Sequence, residues 1–215
     1  MRLALDQAAA AASADEVPVG AVLVSAQGEV LTAARNQTEG AGDPTAHAEM
    51  LCIRAAAAQA GGWRLLDATL YVTLEPCPMC AGALLQARVG TVVYGARNTL
   101  LGADGSWIAM LPRGEAGNGQ ACSCSSGSDA PPNSGASAEV TREARAPATW
   151  SPVPGAPARP HPFHPDLVVR RGVLAEECAA LMKGFFARRR KEAAAAKAAA
   201  AGSSSGDDGG SSCIS

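Results

Sequence analysis

The stretch TLEPCPMCAG, Thr73–Gly82, joins a run of strand character to a run of helix character and sets two cysteines, Cys77 and Cys80, at the junction, with Pro76 before the first and Pro78 between them. Upstream, ATLYVTL (residues 68–74) is a continuous apolar run of strand length, the pattern of a strand buried on both faces. Downstream, CPMCAGALLQARVG reads as a helix and TVVYGA (residues 91–96) as a second buried strand. Strand, helix, strand is the repeating unit of a layered α/β domain.

Working outward from that unit, residues 1 to about 14 have the apolar spacing of a helix. VPVGAVLVSAQGEVLTAARN then reads as a hairpin, with strands near 19–24 and 30–34 and AQGE as the turn. TEGAGDP (residues 38–44) has loop composition. TAHAEMLCIRAAAAQAG reads as a helix, with Thr45 as its expected cap and Gly61 as its stop. Near the C-terminus, DLVVRRGVLAEECAALMKGFFARRRKEAAAAKAAAA gives a strand and a long helix.

Composition divides the chain further. Residues 112–165 are rich in Gly, Ser, Pro and Ala and poor in core formers, so they are expected to form a disordered, low-complexity insertion. Around it, residues 1–111 form the core and 166–200 complete it, with a disordered tail over 201–215. The net charge of −2 gives no bulk signal for nucleic acid or membrane. No run of 18 apolar residues is present, so no membrane partner is expected. The N-terminal stretch is expected to be a helix entering a strand rather than a leader. Seven cysteines in no regular framework point to a reducing, intracellular setting.

Three readings of Cys77 and Cys80 are open. A redox dithiol would place two thiols at a helix start, but nothing else favours it. A four-ligand structural zinc site needs a second pair, and Cys122 and Cys124 sit in the insertion with one residue between them. An open zinc site needs one more protein ligand and leaves a position for water, whose pKa such a site lowers to ~7. The third donor is then His47 in DPTAHAEM, because Glu49 follows two residues later and can act as the proton carrier. His161 and His164, in the proline-rich insertion, are poor candidates.

HAE followed by PCPMC matches the H-x-E…P-C-x-x-C pattern of the zinc nucleobase deaminases. EVPVGAVLV, DPTAHAEM, DATLYVTLEPCPMCAGAL, VVYGAR and GVLAEECAALMKGFFARRR resemble, more narrowly, the TadA-type tRNA adenosine-34 deaminases, over residues 1 to about 191 apart from the insertion. That resemblance implies a three-layer α/β/α sandwich with a mixed sheet of about five strands. It also implies one Zn²⁺ per subunit on His47, Cys77 and Cys80, with Glu49 as the catalytic acid–base. Asn36, Ala48 and Glu75 would lie at the substrate base. The implied reaction converts adenosine 34 to inosine in a tRNA anticodon arm, carried out by a homodimer in the cytoplasm or plastid. A deaminase of free guanine, cytosine or cytidine, and a non-catalytic zinc-stabilised RNA-binding subunit, are the alternatives.

The RNA contacts are expected on the C-terminal helix. Arg188, Arg189 and Arg190 would hold phosphates, and Phe185 and Phe186 would stack a base or pack inward. The chain departs from the family at Asn98 and Leu100, where an acidic residue and a lysine are usual. That change bears on how the anticodon arm is held, not on the zinc chemistry.

Overall fold

The computed structural model describes residues 1–112, 164 and 166–203. Its elements are α1 (Arg2–Ser13), β1 (Gly20–Val24), β2 (Val30–Arg35), α2 (Thr38–Ala41), α3 (Ala48–Gln59), β3 (Thr69–Leu74), α4 (Pro78–Gln86), β4 (Thr91–Ala96), β5 (Val168–Arg170) and α5 (Ala175–Ser203). The expected insertion over 112–165, with Cys122, Cys124 and His161, lies outside the described residues except for Pro112 and His164. Most of the expected tail lies outside them too, although α5 runs on to Ser203.

The sheet has five strands in the order β2-β1-β3-β4-β5. β1 pairs antiparallel with β2 and with β3, while β3–β4 and β4–β5 are parallel. The sheet is therefore mixed, as the resemblance implies. α4 makes the crossover between β3 and β4, the connection that a parallel pair needs. α3 packs on β1, β2 and α4, while α1 and α5 pack on the sheet and on each other. Helices thus cover both faces, and Leu23, Leu70, Val72, Leu84, Val92 and Tyr94 are buried between the layers. Among the described residues no helix is long and apolar enough to cross a membrane.

Gly20 shows how closely α1 rides on the sheet. A Cβ there would overlap the Ala4 carbonyl oxygen and come within 2.5 Å of the Ala8 nitrogen. Neither atom can move without shifting the helix. Gly20→Ala is expected to cost ~1–3 kcal/mol, the range for overpacking a tight core. Urea titration followed by circular dichroism measures it, and an unchanged midpoint would contradict this packing.

Two local expectations need correction. The 38–44 segment contains the short helix α2, because a distant side chain caps it. Buried Glu16 accepts the N–H groups of Glu39 and Gly40 at 3.3 and 2.7 Å, satisfying amides that a first turn leaves free. Thr45 does not cap α3: its hydroxyl donates to the Asp43 carboxylate at 2.7 Å, and His47 occupies the N-cap position.

Just beyond the end of α1, Asp15 has a left-handed φ of 60°. Asp15 also receives α5. Arg188 donates to its carboxylate and to the Ala12 carbonyl, both at 3.2 Å, and Arg189 donates to the Asp15 carbonyl at 2.9 Å. Both guanidinium carbons lie 5.4 Å from the Phe185 ring centre.

Candidate active site

The three expected metal donors converge. His47 sits at the N-cap of α3 and Cys77 at the N-cap of α4, where Pro78 takes the first helical position because it needs no donor there. Cys80 lies one turn into α4 and is fully buried. His47 Nδ1 is 3.7 Å from Cys77 Sγ and 3.5 Å from Cys80 Sγ. Zn–N and Zn–S bonds of ~2.1 and ~2.3 Å at a tetrahedral angle put N and S about 3.6 Å apart. The donor spacing therefore fits a zinc ion, and three protein donors leave the fourth position open. Among the described residues these are the one cluster of metal-ligating type found.

The three donors are hydrogen-bonded to one another. The Cys80 thiol donates to Cys77, whose pKa falls to about 4, with His47 adding to the shift. The same bond, then burial, pushes the Cys80 pKa up. His47 is raised, first by its bond to Cys77. The helix N-termini at Cys77 and His47 add positive potential where thiolate charge collects.

Glu49 is the second residue of α3, next to the donors and buried. Burial is the largest cause raising its pKa above the usual carboxylate value. A carboxylate held out of water in this way is a stronger base than one in solution. With His47 and Cys77 it lines a cavity of about 230 Å³, together with Asn36, Leu74 and Asn98. That volume lies below the ~300–1,000 Å³ of drug-sized pockets, which suits a single ring system.

The other expected site residues divide. Asn36 lines the cavity, with Nδ2 donating to Glu16 at 3.0 Å and Oδ1 accepting from Thr38 at 3.3 Å. The Ala48 side chain is buried in the core cluster. Glu75 borders the cavity, but its carboxylate is engaged by the 98–106 loop rather than left free for a base. Phe185 is buried, with only 5 % of its surface exposed, so it packs inward; Phe186 is 42 % exposed. His164 contacts the Val89 carbonyl at 2.7 Å and has no part in the donor cluster. Sequence reasoning missed Glu16. Its only signal was a carboxylate ahead of the apolar VPVGAVLV run, and nothing local shows that it is buried.

A profile for the cytidine and deoxycytidylate deaminase zinc-binding region matches residues 1–96. The chloroplastic tRNA(adenine(34)) deaminase of Arabidopsis thaliana is 51% identical over 186 residues, which are 86% of this chain but 12% of that protein. The chain therefore spans a small part of that relative's length. The tRNA-specific adenosine deaminase of Bacillus subtilis (strain 168) is 49% identical over 111 residues, 52% of this chain and 68% of the relative. A solved guanine deaminase from Nitrosomonas europaea superposes with a TM-score of 0.54 at 20% identity, over 86% of this chain and 81% of the other. That likeness concerns the fold alone.

Proposed function

Because the chain belongs to the tRNA-specific adenosine deaminases within the cytidine and deoxycytidylate deaminase family, we propose that it converts adenosine 34 of a tRNA anticodon arm to inosine. The reaction consumes one water and releases one ammonia: a C6–O bond forms and the C6–N6 bond breaks. The observation that carries this reading is the buried Glu49 lining one small cavity with His47 and Cys77, which cluster with Cys80 behind it.

His47, Cys77 and Cys80 would hold one Zn²⁺ per subunit, which would supply the Lewis acidity that makes water nucleophilic near neutral pH. Glu49 does the proton work. Its carboxylate accepts a proton from the attacking water and passes it to the ring nitrogen of the base; it then takes the second proton from the hydroxyl now on C6 and gives it to the departing amine, which leaves as ammonia. Asn36, at the cavity wall, reads the base edge. The divided core, 1–111 completed by 166–200, holds every residue in this scheme.

For the RNA, Phe186, Arg190 and Lys191 form an exposed stretch in the middle of α5. A homodimer fits the TadA-type resemblance, and the chloroplastic relative favours a plastid compartment. The test is incubation of the purified protein with a tRNA bearing A34, followed by sequencing for inosine at that position. Turnover of free guanine, cytosine or cytidine with no inosine in the tRNA overturns the substrate assignment. No turnover of any of them, with RNA still bound, favours the non-catalytic alternative.

A further inference from the structure

We propose that Glu75 is a positioning residue: its buried carboxylate fastens the 98–106 loop to the metal-bearing loop and so fixes the far wall of the substrate cavity. Glu75 follows β3 directly and precedes the ligand Cys77 by two residues. Its side chain is fully buried. Oε2 accepts the Asn98 N–H at 3.1 Å and the Ser106 hydroxyl at 2.5 Å, while Oε1 accepts the Asp104 N–H at 2.9 Å. Arg97 Nε stands 3.7 Å from Oε2 at the surface.

The loop is built around that carboxylate. A Cβ at Gly102 would overlap the Glu75 carboxyl group and lie 2.6 Å from the Asn98 carbonyl oxygen, so only glycine lets the turn close over it. On the backbone side, the Ala103 N–H donates to the Pro76 carbonyl at 2.9 Å. Asp104 is gripped in turn by the Tyr94 hydroxyl at 2.7 Å and by the Arg171 guanidinium at 2.5 and 2.7 Å. The loop residues that reach the cavity are Asn98 and Leu101. One acidic side chain thus joins the strand that delivers the metal ligand to the loop that faces it. This is a different task from touching the base.

Glutamine cannot replace it. A carboxamide has one acceptor oxygen, and its NH₂ would meet either the Asp104 N–H or the pair formed by Asn98 and Ser106. In both orientations a buried donor faces a donor. Glu75→Gln is therefore expected to free the loop while leaving the metal donors in place. Amide hydrogen exchange at Asn98 and Asp104 should accelerate about 100-fold, and bound zinc should remain at the parent level. The KM for the tRNA substrate should rise about tenfold, with kcat within about threefold of the parent.

Ser106→Ala removes a single, partly exposed donor and keeps the inference testable where Glu75→Gln does not fold. It should show the same pattern at smaller amplitude. The kinetic arm rests on the deaminase reading above, whereas the exchange arm needs no substrate. Unchanged exchange at Asn98 and Asp104 in both variants overturns the positioning role whatever the activity. A fall in kcat with KM and exchange unchanged overturns it in favour of a direct part in the reaction.

Discussion

Glu49→Gln is expected to lower deamination by ~10²–10⁴-fold, the usual contribution of a positioned proton carrier, with zinc content unchanged. The substitution preserves size and position but leaves no group that can take a proton from water and return it. The metal donors lie on His47 and on α4, so the ion should stay. Single-turnover assays on an A34 tRNA, run beside metal analysis, measure both quantities. A variant with zinc and near-parental turnover would refute the role given to Glu49.

The same variant carries a stability consequence in metal-free protein. Burial raises the Glu49 pKa, so the native state holds a proton that the unfolded chain has released at the same pH. Stability is then lost as pH rises from the ordinary carboxylate range through the raised value. Glu49→Gln has no such loss. Metal-free parent should weaken relative to metal-free variant as pH rises above the ordinary carboxylate range, as read from urea midpoints. The residue proposed to carry the protons is then, in metal-free protein, a burden on the fold.

The second large effect is loss of the ion. Cys80→Ala removes a fully buried donor from the interior of α4 and leaves Cys77 without its thiol partner. The variant is expected to retain little zinc after dialysis and to have no deaminase activity. In the parent, zinc in roughly 1,000-fold excess over its Kd contributes about 4 kcal/mol to the folded state. At ~2–4 °C per kcal/mol for a chain of this size, removing it should lower Tm by ~8–16 °C. Calorimetry with and without a chelator measures this. A chelator-insensitive Tm together with a full equivalent of zinc in the Cys80→Ala variant would rule out the triad.

What the sequence revealed and what it hid follow one physical line. The clustering of His47, Cys77 and Cys80 was legible because donors able to share one metal sit at particular offsets, and those offsets survive as spacing. The sheet was legible because burial on both faces leaves continuous apolar runs at 68–74 and 91–96. Hidden were the features made by residues far apart in the chain. α2 exists because Glu16 caps it across the β1–β2 hairpin, so its own loop-like composition misleads. The direction of the Glu75 carboxylate depends on a turn at Gly102, and no local pattern around Glu75 reports it. Thr45 had the right chemistry for a cap, but the Asp43 carboxylate claims its hydroxyl. Phe185 and Phe186 are adjacent on a helix, and only the packing of α5 on α1 shows which of them turns inward.

The clasp at Asp15 bears on how RNA would be held. Arg188 and Arg189 already carry a counter-charge, since the Asp15 carboxylate lies within 3.2 Å of each. A phosphate taking either guanidinium exchanges one anion for another, and no mobile ion need leave that arginine. Counterion release drives nucleic-acid binding by ~0.7–0.9 in log–log slope per neutralised phosphate. These two arginines contribute less than that each. The salt sensitivity of an RNA complex would then come more from cations outside the clasp, Arg190 and Lys191 among them, and would fall short of what the row of cations in FFARRRK implies.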